Sequence, residues 1–135
     1  MQIVLYSDDI NLLIHWEKCI EDNYLTVEDI DELLEIKNSL IVVNYTVFGS
    51  SVEYYLGRLN LNNNRVLILH RVPDIQTAKQ ILSLGAMGYG NAMMRQHYLI
   101  SAIETIKDNI VWLYPEFTTM LIMEIPSKGT KEDTV

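Results

Sequence analysis

The sequence has little of several things on which large classes of protein depend. Cys19 is the only cysteine, so the chain can form neither an internal disulfide bond nor a thiolate metal cluster. The chain has ten Lys and Arg residues but eighteen Asp and Glu residues, which gives a net charge of −8. This charge disfavours direct binding to nucleic acid, which is held mainly by basic side chains. The first polar loop, SDDIN, has no glycine-rich cradle for a dinucleotide or flavin phosphate.

Long hydrophobic runs are missing as well. No apolar stretch approaches the roughly 18 residues that are needed to span a bilayer. The first residues, MQIVLYSDD, lack the positive start and the apolar run of a signal peptide. We therefore expect a soluble, cytoplasmic protein without a membrane partner.

Short apolar runs alternate with helical patterns along the chain. The runs rich in β-branched residues predict strands buried on both faces, and they lie at residues 2–6, 24–27, 39–44, 65–70 and 88–91. Apolar residues at helical spacing follow each of them. This order predicts an α/β fold, a three-layer doubly wound structure in which helices cover both faces of a five-stranded parallel sheet.

The 135 residues have the length of one domain. We assign residues 1–117 to it and interpret residues 110–117 as a linker that closes the domain. Residues 118–126 form an apolar C-terminal segment with helical character. Residues 127–135 are polar and charged, which predicts a disordered tail.

Polar residues follow the predicted strands where the carboxyl ends of parallel strands form a crevice. Asp8 and Asp9 follow the first strand, Asn44 ends the third and His70 ends the fourth. The acidic pair could hold Mg²⁺, which one or two carboxylates can bind together with waters. Alternatively, Asp8 or Ser7 caps the first helix. We expect at most weak Mg²⁺ binding, no other cofactor and no catalytic residue.

These stretches together resemble the receiver domain of two-component response regulators. The stretch RVLILHRVPDIQTAKQILSLGAMGYGN, residues 65–91, fits without a gap the fourth strand, fourth helix and fifth strand of NarL-type receivers. NIVWLYPEF is similar to the segment after their last helix, and VLYSDD matches their first strand with its acidic pair. The resemblance implies a flavodoxin-like receiver fold. Asn44 follows Asp9 at a shorter interval than in the family, which predicts a shortened second strand–helix unit.

The resemblance also implies which functional positions have changed. A receiver accepts a phosphoryl group on an aspartate that ends its third strand, and a hydroxyl residue and a lysine contact the phosphate. These three positions match Asn44, His70 and Ala92. An amide nitrogen is a poor nucleophile, so Asn44 cannot form an acyl phosphate by the family's route. The sequence therefore predicts a degenerate receiver, or pseudo-receiver.

Other positions of the family's site remain, and their neighbours can be anticipated. Asp8, Asp9 and the switch aromatic Tyr89 match the family. We expect Asn44 to form a hydrogen bond with a neighbour such as Asp9, and His70 to be partly buried and bonded to Asp8 or Asp9. The family's aromatic chooses between a buried and an exposed rotamer, a choice that phosphate would not drive in this chain.

Three functions fit this pattern. The first is a receiver-like domain that acts through protein–protein contact, as a homodimer or with a partner, through the family's face of fourth helix, fifth strand and fifth helix. In this chain the candidates on that face include Ile75, Ala78, Leu82, Tyr98 and Ala102. The second is the regulatory domain of a NarL-type DNA-binding transcription regulator whose helix-turn-helix is absent from this chain. The third is an active phosphoacceptor that uses Asp8 or Asp9.

Overall fold

The computed structural model describes residues 1–125, which form a parallel sheet covered by helices on both faces. The strands are β1 Gln2–Tyr6, β2 Tyr24–Thr26, β3 Ser39–Asn44, β4 Arg65–His70, β5 Gly88–Asn91 and β6 Trp112–Leu113. The helices are α1 Ile10–Cys19, α2 Ile30–Leu34, α3 Val52–Leu61, α4 Ile75–Ser83, α5 Gln96–Lys107 and α6 Pro115–Glu124, with a 3-10 turn at Tyr45–Phe48. The strand order is β2-β1-β3-β4-β5-β6. The predicted α/β, doubly wound parallel architecture is confirmed.

The apolar strands are continuous because each side of the sheet has its own core. All six residues of β3 are buried. Leu40 and Val42 pack on one face with Trp16 of α1, whereas Ile41 and Val43 pack on the other face with side chains of α3 and α4. A strand with both faces covered needs no polar alternation, which is why β3 could be recognised from its composition.

The sheet has six strands where the sequence predicts five, because residues 112–113 form an edge strand and not a linker. The Trp112 N–H donates to the Met87 carbonyl at 2.9 Å. Gly88 and Gly90 make this approach possible. A Cβ on Gly88 would lie 3.0 Å from the Trp112 carbonyl oxygen, and one on Gly90 would lie 3.0 Å from the Trp112 ring.

Helix α6 begins at Pro115 and so crosses the predicted domain boundary at residue 117. Phe117 is buried and its ring centroid lies 5.5 Å from that of Tyr89. Lys79 of α4 forms an ion pair with Glu124 near the end of α6. The apolar segment at residues 118–124 is thus helical and packs on α4, while the division at 117 stays a prediction. The predicted tail at 127–135, with Pro126 before it, lies outside the described residues.

Two local features bear on the site. The second strand–helix unit is short, as predicted, with three residues in β2 and five in α2. The N-cap of α1 is Asp9, whose side chain accepts a hydrogen bond from the Asn11 N–H; the expectation that Ser7 or Asp8 caps this helix is wrong. Within residues 1–125, no helix has both the length and the apolar character that a membrane span requires.

Candidate functional site

A cavity of about 480 Å³ opens at the carboxyl edge of β1, β3 and β4. Four residues anticipated at this edge, Asp8, Asp9, Asn44 and His70, line it together. Ile10, Leu12, Tyr45, Thr46, Leu69 and Arg71 complete the lining. We call the ends of β1 and β3, with Asp8, Asp9, Asn44 and Thr46, the acidic half of the edge. The ends of β4 and β5, with His70, Tyr89 and Ala92, are the aromatic half.

Asn44 is the central residue of the acidic half and is only 4% exposed. Its Nδ2 donates to Asp8 Oδ1 at 2.8 Å and to Thr46 Oγ1 at 2.5 Å. A carboxylate only accepts hydrogen bonds, so the amide nitrogen is the atom that faces it. Asn44 therefore bonds to a neighbour, as expected, but this neighbour is Asp8 and the prediction of Asp9 is wrong. Among the described residues, Asn44 Oδ1 has no hydrogen-bond partner although it is buried.

Asp9 bonds to partners other than Asn44 through both of its carboxylate oxygens. Oδ1 accepts from the Asn11 N–H at 2.9 Å as the cap of α1. Oδ2 accepts from Arg71 Nε at 3.1 Å and Nη2 at 2.9 Å. The hydrogen bond from Arg71 is the largest cause that lowers the pKa of Asp9. Sequence reasoning missed Arg71; its only signal is a basic residue directly after a buried strand.

His70 bonds within the aromatic half. Its Nδ1 lies 2.9 Å from the Tyr89 hydroxyl, which also accepts from the Asp74 N–H at 3.0 Å. One oxygen thereby joins β4, β5 and the start of α4. The expectation that His70 bonds to Asp8 or Asp9 is wrong: Asp9 bonds to Arg71 and to the Asn11 N–H at the start of α1, and Asp8 bonds to Asn44.

Burial favours the neutral form of both aromatic groups. It lowers the pKa of His70 and raises the pKa of Tyr89 to about 12. In the tautomer that carries its proton on Nε2, the neutral imidazole accepts from the Tyr89 O–H through Nδ1. Tyr89 is fully buried, so its side chain adopts an inward rotamer.

Ala92, which the sequence resemblance matches to a receiver lysine, is part of the core. It is fully buried, its N–H donates to the His70 carbonyl at 2.9 Å, and its own carbonyl accepts from Trp16 Nε1 at 2.9 Å. Ala92 does not line the cavity. A longer side chain would have to displace the packing around Trp16.

The residues present do not fit a resident Mg²⁺. This ion prefers several oxygen ligands in octahedral geometry. Asp9 is held by Arg71, whose positive charge would face the ion, and Asp8 is held by Asn44. The part of the chain that is described contains no group of three His, Cys, Asp or Glu side chains that could hold a metal.

The candidate interface residues divide by burial. Ala78 of α4 and Ala102 of α5 are fully buried and belong to the core, so their assignment to a contact face is wrong. Ile75, Leu82 and Tyr98 are half-buried and reach the surface. Tyr98 also packs against Tyr114, with ring centroids 5.1 Å apart.

Comparison with known proteins relates this architecture to solved structures. Neither a protein-family model nor a curated protein sequence matches the chain. A LuxR-family two-component response regulator from Aurantimonas sp. SI85-9A1 superposes with a TM-score of 0.78 at 19% identity, over 91% of this chain and 96% of that one. The chain has the receiver fold.

Two further structures share this fold. The isolated receiver domain of RcsB from Salmonella enterica serovar Typhimurium, with the phosphomimetic BeF3⁻, gives a TM-score of 0.71 at 13% identity, over 88% of this chain and 96% of that one. A LuxR-family DNA-binding response regulator from Silicibacter pomeroyi gives 0.63 at 18% identity, over 87% and 99%. The expected receiver fold is therefore confirmed, and at these identities the likeness concerns the fold alone.

Proposed function

We propose that the chain is a receiver-like signalling domain that does not accept phosphate by the usual route and acts through protein–protein interaction. The observation that carries this proposal is Asn44. Its amide ends the central strand, where the receiver fold places its acceptor, and it is hydrogen-bonded to Asp8 at 2.8 Å. An amide in this position has no nucleophilic oxygen to form an acyl phosphate.

The charges at the edge support the same proposal. Arg71 is paired with Asp9, and Ala92 supplies no cation. A phosphoryl group would then stand beside two carboxylates without a fixed positive charge of its own. Like charges about 4 Å apart repel by roughly 4 kcal/mol at an effective dielectric constant of 20, which disfavours a stable phosphorylated form.

Tyr89 supports a fixed signalling state. Its hydroxyl bonds to both His70 and the Asp74 N–H, and its ring packs on Phe117 of α6. These contacts hold the aromatic inward without phosphate. The domain thus presents one arrangement of α4 and β5 constitutively, as a platform for a partner.

The contact face that we propose runs along α4, β5 and α5, with Ile75, Leu82 and Tyr98 at the surface. Helix α6 extends it with Ile122 and Met123, which are 61% and 79% exposed. A homodimer or a protein partner would cover these apolar groups. Light scattering on the full chain is expected to give a dimer mass that Leu82→Glu reduces to the monomer; a monomer at all concentrations would contradict the dimer.

The phosphorylation test uses the full chain with acetyl phosphate and Mg²⁺, followed by intact-protein mass spectrometry. We expect no mass increase by a phosphoryl group. The alternative in which Asp8 or Asp9 is an active phosphoacceptor requires a mass increase that Asp9→Asn or Asp8→Asn abolishes and Asn44→Ala does not. That result would overturn the proposal.

A second candidate is the regulatory domain of a NarL-type DNA-binding transcription regulator. Its support is the likeness to LuxR-family regulators, one of them described as DNA-binding. This chain itself carries a net charge of −8, and we propose no direct contact of it with DNA. The genomic sequence after the Val135 codon is the test, and an in-frame helix-turn-helix region would favour this candidate.

A further inference from the structure

We propose that the cavity at the carboxyl edge binds a small organic cation with an ammonium head group. The carboxylate of Asp8 and the unpartnered amide oxygen of Asn44 accept from that head, and the apolar wall of the cavity contacts its organic body. This goes beyond the proposed function, because ligand binding and phosphoryl acceptance are measured separately. Phosphorylation of the chain would contradict the proposed function but would not contradict the proposed binding site.

The hydrogen bonds of the acidic half leave acceptors without donors. Thr46 Oγ1 lies 3.2 and 3.4 Å from the two oxygens of Asp8, but its single hydroxyl proton can serve only one of them. Asn44 Oδ1 has no partner among the described residues. A buried acceptor without a donor is costly and uncommon in folded proteins. A ligand that fits this site therefore has N–H groups that donate hydrogen bonds to these acceptors.

The Asn44 side-chain amide must rotate before its unpartnered oxygen can accept a hydrogen bond from a ligand. Asn44 Oδ1 is buried, whereas the Asn44 residue lines the cavity. The last torsion of an asparagine side chain is soft, so the amide can rotate toward a bound donor. Such a rotation breaks the bond from Nδ2 to Asp8 and turns both groups into acceptors for the ligand. The Asn44 side-chain amide is therefore the first reporter of binding.

The formal charge of the lining selects a cation. Asp8 and Asp9 are anionic and Arg71 is cationic, which leaves one excess negative charge. His70 adds none near neutral pH, since burial lowers its pKa. A monocation neutralises this excess, whereas a phosphate or carboxylate would increase it.

The wall of the cavity favours an organic ion over a bare metal ion. Ile10, which is 64% exposed, gives it an apolar surface, and the aromatic residue Tyr45 also lines it. Mg²⁺ gains nothing from such a surface and needs more oxygen ligands than the site leaves free. The cavity volume of about 480 Å³ accommodates a ligand of the size of benzylamine.

The experiment titrates the full chain with benzylamine and follows its two-dimensional ¹H–¹⁵N NMR spectrum. Benzyl alcohol and benzoate serve as neutral and anionic compounds of the same framework, and Mg²⁺ and K⁺ are titrated alone. Benzylamine is expected to shift the amide signals of residues 8–9 and 44–46 and the Asn44 side-chain amide. We expect it to bind at least tenfold more tightly than benzyl alcohol, and benzoate to leave these signals in place.

One variant tests the assigned carboxylate of Asp8, and a second is its control. Asp8→Asn keeps the shape of the side chain and is expected to weaken benzylamine binding at least tenfold. Glu53→Gln removes an equal charge from an exposed position of α3, outside the cavity, and should leave binding unchanged. Equal affinity for benzylamine and benzyl alcohol would overturn the proposal. So would shifts confined to other surfaces, or a site that only Mg²⁺ or K⁺ occupies. The comparison of the three compounds needs only the unmodified chain.

Discussion

The two halves of the carboxyl edge differ in how their polar groups find partners. In the aromatic half, His70, Tyr89 and the Asp74 N–H share one buried hydroxyl oxygen, and Phe117 covers the ring. In the acidic half, Asp8 is exposed, Asp9 is held by an exposed arginine, and a buried oxygen of Asn44 has no donor. One half is a closed, neutral network, and the other is open and charged.

This difference separates polar groups that stabilise the fold from polar groups that remain available to a ligand. A satisfied buried network fixes one arrangement of side chains, whereas a partly satisfied one at a cavity is a place where a ligand can contribute. His70 lines the cavity from the aromatic half, whereas Tyr89 and Ala92 belong to the buried core.

The largest effect is expected when a lysine is introduced at position 92, in the aromatic half. Ala92→Lys should lower the free energy of unfolding by about 3 kcal/mol, because it adds volume and a charge at a fully buried position. Urea unfolding followed by circular dichroism measures it. Met93→Lys, at a neighbouring residue that is 48% exposed, should change stability by less than about 0.5 kcal/mol. Equal stability of the two variants would show that the edge has room for the lysine.

Introducing a third carboxylate into the acidic half, at position 44, is expected to have the second largest effect. Asn44→Asp exchanges a donor that lies 2.8 Å from Asp8 Oδ1 for a like charge, which should cost about 2 kcal/mol at pH 7. The repulsion raises the pKa of the new carboxyl, so the loss of stability should shrink as the pH falls toward about 5. Asn23→Asp, at an exposed position, is the matched control. A stable variant at pH 7 would contradict the account of Asn44.

A smaller effect is expected when the shared hydroxyl of the aromatic half is removed. Tyr89→Phe leaves His70 Nδ1 and the Asp74 N–H without their partner and should cost about 1.5 kcal/mol. Tyr54→Phe removes a hydroxyl from a residue that is 56% exposed and should be almost neutral. Thermal or urea unfolding compares the two variants. A neutral Tyr89→Phe would mean that the hydroxyl does not hold the inward rotamer.

The smallest effect concerns the pH dependence of the aromatic half. Burial lowers the pKa of His70 below its usual 6.5, so the unfolded chain takes up this proton first as the pH falls. The contribution of neutral His70 to the free energy of unfolding is complete above pH 6.5, and it is lost as the pH falls toward the pKa of His70 in the folded chain. Between about pH 7.5 and 5.5 the loss should be below about 1 kcal/mol and smaller in His70→Gln. His97→Gln, at an exposed residue, should behave like the unmodified chain.

The sequence predicts the sheet well because its signals are local. Strands β1, β3 and β4 are continuous apolar runs, and their carboxyl ends lie at one edge in any parallel sheet. Strand β6 could not be predicted, since two residues carry no periodicity. It forms because Gly88 and Gly90 leave room for Trp112, which is a contact between distant parts of the chain.

The members of the site could be predicted, but their partners could not. Asp8, Asp9, Asn44 and His70 follow from the topology alone. Which carboxylate Asn44 meets depends on the cap of α1, and the partner of His70 depends on the inward rotamer of Tyr89. These are choices of side-chain torsion that the structure makes after the strands are in register.

The indole of Trp16 donates to the carbonyl of Ala92 from a position that is fully enclosed. Trp112 is the only other tryptophan in the chain. A Trp112→Phe chain would therefore carry one tryptophan, hydrogen-bonded to the residue that directly follows β5. Its emission wavelength and lifetime would report any rearrangement at this end of the sheet without an attached dye.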